Sequence, residues 1–426
     1  MENIDLILIR PSNWALYPKG ERKTFLEPLG IEYIASQCVA KGFSVHIIDM
    51  DLNNDDDILI KALQKYKARY IGVSVTSPLV YETTRVISVV RDHSDAKIIV
   101  GGPHVSALMD KYKDILETIG ADIYVGGEGE LAVAEILGSE DFKEKFIWGT
   151  RLEDANQYVH PSRQLIDRAK LYLNHDFEEE KQVLASVITS RSCPYQCIFC
   201  ASKSIFGRKL RLRDIPDIKK ELEGLKELGV NTLIFLDDTF TINKKRTLEM
   251  CEVIKELGFS YWLDTRVDAV DEEVVIALKE SGCKFICFGV EAGSPTILKR
   301  IKKGIKIKQV KEACELTNKY GIATQANFMI GHPGENIEHV MSTIKVAHDL
   351  PVKQVSFYKV IPLPGTQLFE MLDDEKKSNF TDFAWYKNPP IVSNMTNEQL
   401  EELQKIGYNF VEQKEQNIQH VGANNE

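Results

Sequence analysis

Three cysteines crowd into eight positions of the chain, Cys193, Cys197 and Cys200, within the run SRSCPYQCIFC. A C-x3-C-x2-C spacing puts three thiols on one short loop, and thiolates select zinc, soft copper or iron–sulfur clusters. Structural zinc wants a fourth ligand, usually from a second C-x2-C or a histidine pair, and none is suitably spaced. A cubane iron–sulfur cluster held by three thiolates keeps one iron open, and an open iron can chelate a small molecule. Phe199, just ahead of the last cysteine, offers an apolar face to a flat ligand. The remaining cysteines, Cys38, Cys251, Cys283, Cys287 and Cys314, fall in apolar or helical patterns and read as small core residues. A chain of 426 residues with so few cysteines is no disulfide scaffold.

Such a loop needs a rigid frame. Apolar runs at 184–189, 232–236, 261–265, 285–289, 324–330 and 354–360 predict strands, with amphipathic helices between them at 215–228, 244–257, 272–281, 308–320 and 337–350. That alternation predicts a partial β/α barrel, whose chemistry sits at the C-terminal ends of its strands. The cysteines, Asp237, Asp238, Glu291 and His332 all fall at such ends. Helix capping by the two aspartates and turn formation by His332 are the competing structural roles. Arg266 and Asp268 either face the site or pair with each other.

The first half of the chain has the same rhythm. Strands are expected at 5–10, 44–49, 70–75, 97–100 and 122–125, and helices at 29–41, 56–66, 81–92 and 106–119. Short, nearly continuous apolar strands imply a doubly wound parallel sheet, Rossmann-like, with ligand space at the carboxyl ends of its strands. Glycine pairs close two of those ends, Gly101-Gly102 and Gly126-Gly127. The α/β reading therefore divides the chain into a Rossmann-like domain at 1–138, a charged linker at 139–182, a barrel at 183–368 and a short helical C-terminal region at 369–426.

Composition narrows the partners. A net charge of −10 argues against a nucleic-acid groove. The local basic stretch Arg208–Arg213 reads as a solvated loop or, being next to the cysteines, as a site for anionic groups. No apolar run approaches a membrane span, and MENIDLILIR lacks the basic start of a signal peptide, so a cytoplasmic protein is expected.

The cysteine run resembles the signature of the radical S-adenosylmethionine (SAM) superfamily, C-x3-C-x-aromatic-C. FLDDTFTIN (235–243), FGVEAGSPTILKRIKKG (288–304), FMIGHPGE (328–335) and PLPGT (362–366) resemble that family's later strand-end segments. The resemblance implies a [4Fe–4S] cluster on Cys193, Cys197 and Cys200 and SAM bound at the open iron. SAM contacts are then expected from Phe199, Asp237, Asp238, Arg266, Glu291 and Ser294. It also implies reductive cleavage to a 5′-deoxyadenosyl radical by electrons from a donor such as flavodoxin or ferredoxin.

GVSVTSP (72–78), IIVGGPHVS (98–106) and DIYVGGEGE (122–130) resemble the cobalamin-binding domain fused to many such enzymes. Gly72, Ser74, Thr76, Gly101, Gly102, His104, Gly127 and Glu128 are the implied cobalamin contacts. The D-x-H-x-x-G cobalt-ligating motif is absent, which leaves no histidine below the metal. The leading expectation is cobalamin-dependent C-methylation of a small biosynthetic intermediate, with Glu291, His332 and Tyr358 as candidate catalytic groups. Dehydration, cyclisation, ring contraction or epimerisation is the rival enzyme reading, and a non-catalytic sensor the third.

Overall fold

The structure is a computed structural model that describes residues 1–14, 24–52, 55–167, 172–173, 182–380, 383–384 and 387–423. The acidic stretch 174–181 of the expected linker and the last residues, 424–426, lie outside the described residues.

The N-terminal sheet contains β1 (Glu2–Arg10), β2 (Val45–Asp49), β3 (Tyr66–Ser74), β4 (Lys97–Gly101), β5 (Ile123–Gly126) and β6 (Phe146–Trp148). They lie in the order β2-β1-β3-β4-β5-β6, all parallel. The first strand shows why the sequence builds this layer. Ile7 and Ile9 pack with the helices Asp56–Lys65 and Val80–His93, while Leu6 and Leu8 point the other way, toward Leu29–Ala40 and Gly129–Gly138. A strand buried on both faces must be apolar at consecutive positions, and this one is. The order reverses at β1 and β3, the switch point at which doubly wound sheets open a ligand crevice.

The second sheet contains β7 (Leu184–Val187), β8 (Thr232–Phe235), β9 (Ser260–Thr265), β10 (Cys283–Glu291), β11 (Ala323–Ile330) and β12 (Gln354–Lys359). All pair in parallel with sequential neighbours, and the barrel stays open between β7 and β12. Its two faces differ in burial. Along β11, Thr324, Ala326, Phe328 and Ile330 are buried under the helices, whereas Gln325, Asn327 and Met329, on the other face, are only half-buried. Cys287 belongs to the lumen face: it is half-buried and accepts from Asn327 Nδ2 at 2.9 Å, so it is not the core residue its apolar surroundings suggested.

Three further expectations change. The stretch read as a linker supplies β6, the edge strand of the first sheet. The expected helix 106–119 is two short helices, Pro103–Leu108 and Lys113–Glu117, and the break lets Leu108, Met109 and Leu116 all reach the core. The C-terminal region packs against both domains: Phe369, Leu372, Phe380 and Phe383 join the first domain's core, while Met395, Leu400 and Leu403 join the barrel's. The terminal helix of this region spans Asn397–Ala423.

Candidate active site

The cysteine loop follows β7 and a short antiparallel pair, Ser190–Arg191 with Arg211–Leu212. Ser192 turns the chain with φ 78° and donates its hydroxyl to the Gly207 carbonyl at 2.8 Å. Ile198 N–H donates to the Ile301 carbonyl and Gln367 N–H to the Ile198 carbonyl, both at 3.1 Å, fastening the loop to barrel and C-terminal region alike. The three thiols are half-buried. Burial pushes the Cys200 thiol up to about 11, with Asp238 and the other two thiols adding to the shift. Cys197 is also raised by burial, against the opposing fields of Lys303 and Arg266.

The thiols are thus near enough to feel one another, yet among the described residues no three Cys, His, Asp or Glu side chains converge as ligands of a single ion. A cubane distributes its ligands over separate irons, so three thiols on one loop would hold three irons and leave the fourth open. Cations beside Cys197 favour its thiolate, the form that binds metal.

Asp237 and Asp238 have opposite surroundings. Asp237 is buried and takes hydrogen bonds from Thr189 N–H (3.0 Å), the Thr189 hydroxyl (2.7 Å) and the Ser190 hydroxyl. Its oxygens face the segment between β7 and the cysteines, which it anchors, and are taken up there. Asp238 is exposed, accepts from Ser202 at 2.6 Å and lies within electrostatic reach of Cys200.

Glu291 ends β10 at φ 72°, the centre of a γ-turn closed by Ala292 N–H to the Val290 carbonyl at 3.0 Å. A β-strand residue in the left-handed region is strained, and such strain concentrates at functional sites. Its carboxylate accepts from Lys303 Nζ at 2.9 Å, and Lys303 itself follows another left-handed residue, Lys302 at φ 55°. Arg266 pairs with Asp268 through both carboxylate oxygens (2.8 and 2.9 Å), donates to the Lys303 carbonyl (2.7 Å), and lies 3.6 Å from the centre of the Tyr195 ring. Glu291, Lys303, Arg266 and Tyr195 thus form one patch beside Cys197. Lys303 and Tyr195 were missed in the sequence because Lys303 sits in a lysine-rich run that looks like solvated surface.

His332 is buried with its ring centroid 6.3 Å from that of Phe199. Burial pulls its imidazole down to about 4, the Glu291 backbone opposing, so it is neutral at physiological pH. Ser294 is buried and precedes the helix Pro295–Arg300. Tyr358 is half-buried on the lumen side of β12, together with Cys287, Asn327 and Gln325. Asp264 also lines this space: it remains accessible, though protein surrounds it closely enough to raise its carboxyl.

The other sheet presents its strand ends to the same region. A cavity of about 240 Å³ is lined by Gly72, Ser74, Gly101, Gly102, Gly127 and Glu128 of the first domain. Its opposite wall comes from the cysteine-bearing segment: Ile188, Arg191, Ile205 and Phe206. Thr76 and His104 are not among its lining residues. His104 is buried, shares a hydrogen bond between Nδ1 and the Ser77 hydroxyl (3.0 Å), and meets Phe380 edge-on at 4.6 Å. It packs under the C-terminal region, outside the lining of this cavity.

Residues 187–347 match the Radical SAM superfamily and residues 19–137 match the B12 binding domain. An uncharacterised methyltransferase of Pyrococcus horikoshii is 33% identical over 361 residues, covering 80% of this chain and 78% of that protein. The chain belongs to the radical SAM superfamily. It is an enzyme of the branch that carries a B12-binding domain, and its cofactors are a [4Fe–4S] cluster, SAM and cobalamin. The anaerobic magnesium-protoporphyrin IX monomethyl ester cyclase of Rubrivivax gelatinosus is 26% identical, over 84% of this chain and 68% of that one. In fold, the chain is similar to the radical SAM methyltransferase TsrM of Kitasatospora setae, solved with cobalamin and a [4Fe–4S] cluster. The TM-score is 0.69 at 17% identity, over 87% of this chain and 78% of that one. Among the described residues no helix is long and apolar enough to cross a membrane.

Glu128 lines the strand-end cavity and its carboxylate is bound at the junction of the two domains. It is buried among Arg191 (2.7 Å), Arg211 and the Tyr158 hydroxyl, so it ties the B12-binding domain to the radical SAM barrel. Arg211 and Arg213 are correspondingly buried and ion-paired, which corrects the solvated-loop reading of 208–213 for those two positions.

His104 yields a pH prediction. Burial pulls it to about 3, so the folded protein excludes a proton that the unfolded chain binds below pH ~6.5. Its contribution to stability is complete above that pH and falls as pH drops, by about 2 kcal/mol at pH 5. His104→Gln is expected to lose less thermal stability than the parent between pH 7 and pH 5. Equal losses would show that His104 is protonated without penalty.

Proposed function

We propose that this enzyme is a cobalamin-dependent radical SAM methyltransferase acting on an unactivated carbon of a small biosynthetic intermediate. The observation that carries the reading is the shared wall. The strand-end cavity of the B12-binding domain is closed by Arg191, Ile205 and Phe206, which flank the three cysteines in sequence. One reacting carbon can then be reached from both cofactor faces. When bound, the cluster and SAM supply a 5′-deoxyadenosyl radical and cobalamin supplies the methyl group.

The chain's own residues have the following roles in this reading. Cys193, Cys197 and Cys200 hold the cluster. Asp238, exposed beside Cys200, receives the amino group of SAM. Glu291, fixed by Lys303 and its γ-turn, meets the ribose, while Phe199 and Ser294 complete the SAM side of the site. Neutral His332 shapes the turn behind Phe199. Tyr358 and the polar lumen groups face the substrate. Gly72, Ser74, Gly101, Gly102 and Gly127 let the backbone approach cobalamin closely. The electron donor is a small reductase protein of flavodoxin or ferredoxin type.

Anaerobic reconstitution with iron, sulfide and hydroxocobalamin, followed by desalting, tests this directly. About one cobalt and four irons per chain are expected, with the spectrum of a corrin lacking its lower nitrogen ligand. Iron without retained corrin would overturn methyl transfer. It would favour the second reading, a radical cyclisation or rearrangement, which the likeness to the magnesium-protoporphyrin ester cyclase supports. Glu291→Gln is expected to lower kcat/KM for SAM cleavage by roughly 10- to 150-fold, the value of a charge-assisted hydrogen bond. A change below twofold would remove Glu291 from the site.

A further inference from the structure

A second, larger space lies between the domains, on the other side of the cysteine-bearing segment. It has a volume of about 760 Å³ and is walled by Asp110, Tyr112 and Arg151 of the first domain, Lys203 and Arg208 after the cysteines, and Gln367 of the C-terminal region, among others. Gln367, on one wall, is the residue whose N–H holds the cysteine loop at Ile198. Gly365, at φ 81°, brings the C-terminal wall so close that a side chain there would press on Ser204 and Ala107. Three segments thus meet at a built junction.

The charges of this groove do not balance. Its acids are already engaged: Asp110 accepts from the Trp148 indole at 3.1 Å, and Glu370 accepts from the Tyr112 hydroxyl (3.2 Å) and pairs with Lys111 (3.4 Å). Among the described residues the side chains of Lys203 and Arg208 have neither an ion pair nor a hydrogen bond, and Arg208 is exposed. Arg151 lies against Gly207, donates to the Ile205 carbonyl at 3.0 Å, and reaches Glu128 only at 4.0 Å. Glu128 is already taken by Arg191 and Arg211. An uncompensated cluster of cations in a chain of net charge −10 is not a consequence of composition. Guanidinium and ammonium groups around a concave space suit a multiply charged oxyanion.

We propose that this groove binds a phosphate-bearing portion of a small-molecule ligand through Arg151, Lys203 and Arg208. The inference rests on the proposed function only in placing a small-molecule ligand between the two domains. The phosphate has two possible carriers with the same chemistry, the substrate and the nucleotide loop of the corrinoid.

Titration of inorganic pyrophosphate, at low ionic strength, into protein reconstituted with iron and sulfide but without corrinoid tests the site. Saturable binding is expected, weakened roughly tenfold or more in Lys203→Gln and in Arg208→Gln, and retained in Lys203→Arg. Iron content and melting temperature check that each variant is folded. If the corrinoid phosphate occupies the groove, cobalamin blocks pyrophosphate while cobinamide, which lacks the nucleotide, does not. If the substrate's phosphate occupies it, pyrophosphate binds equally with cobalamin present. No saturable binding, or unchanged affinity in both glutamine variants, overturns the proposal. Failure to form 5′-deoxyadenosine would overturn the proposed function and leave this titration unaffected.

Discussion

Cys197→Ala is expected to abolish 5′-deoxyadenosine formation and to leave the reconstituted protein with little bound iron. Cys197 is the middle thiol of the loop, half-buried and the one nearest the positive fields of Lys303 and Arg266. Removing an outer partner of a metal site costs roughly 10- to 100-fold. Removing one of only three thiolates deletes a ligand outright, so the loss should exceed that range and reach background. The neighbouring geometry makes the interpretation clean. The loop is fixed by backbone hydrogen bonds at Ile198, flanking the substituted residue, and by Ser192 to Gly207. The fold therefore does not depend on the deleted thiol, and the melting temperature without cofactors should change little. Iron and sulfide counts, visible absorption and anaerobic product analysis measure the effect. Full SAM cleavage in the variant would sink the assignment of the cluster to this loop. Cys251→Ala is the matched control, because Cys251 is buried beside the Tyr261 hydroxyl at 3.8 Å, away from the loop.

Much of the architecture was legible because both domains obey one rule. Parallel strands covered on both faces are apolar at consecutive positions, and the helices between them keep a polar face. The barrel helix Lys244–Leu257 has the bounds the pattern gave it. What escaped was whatever depends on contacts between distant segments. β6 is three residues long, FIW, too short for any periodicity to declare itself. Asp237 and Asp238 are chemically identical in the sequence. Their separation into strand anchor and exposed carboxylate comes from Thr189 and Ser190, roughly 50 positions upstream by the ladder geometry that pairs β7 with β8. Cys287 looked like core because its neighbours are apolar, but strand alternation turns it into the lumen, where its partner Asn327 comes from the next strand. His104 followed a glycine pair that belongs to a ligand face, yet the first turn of the next helix carries it under Phe380, some 276 positions away. Local pattern reports the strand end; only the packed chain reports which side chains reach the open space.

Glu128 is the position where that distinction has its largest expected effect on stability. Its carboxylate is fully engaged by Arg191, Arg211 and Tyr158, and Glu130 adds a second contact to Arg191 at 2.6 Å. Burial would raise its pKa, but hydrogen bonding by Arg211 and the charge of Arg191 outweigh burial and hold it below the ordinary carboxylate value. Glu128→Ala would leave the buried guanidiniums of Arg191 and Arg211 without the carboxylate they share. Breaking a buried pair in this way costs about 3–5 kcal/mol, against roughly 0–1 kcal/mol for an exposed one. The exposed pair Lys219–Glu256, at 2.7 Å, supplies the comparison through Lys219→Ala. Because the folded-state pKa of Glu128 is depressed, its contribution is complete above the unfolded carboxyl pKa and fades as pH falls through the folded value. The deficit of Glu128→Ala should therefore be large at pH 7 and shrink toward pH 4. Thermal melts and limited proteolysis at both pH values measure it. The bonds broken join the two domains, so the first unfolding step should separate the B12-binding domain from the barrel. Arg191 stands two residues before Cys193 and walls the strand-end cavity, so the same variant should lose corrin and iron together. A variant as stable as the parent, with both cofactors retained, would show that Glu128 does not join the domains and that the Glu130–Arg191 pair and the Arg163 bridge to Glu27 and Glu221 suffice.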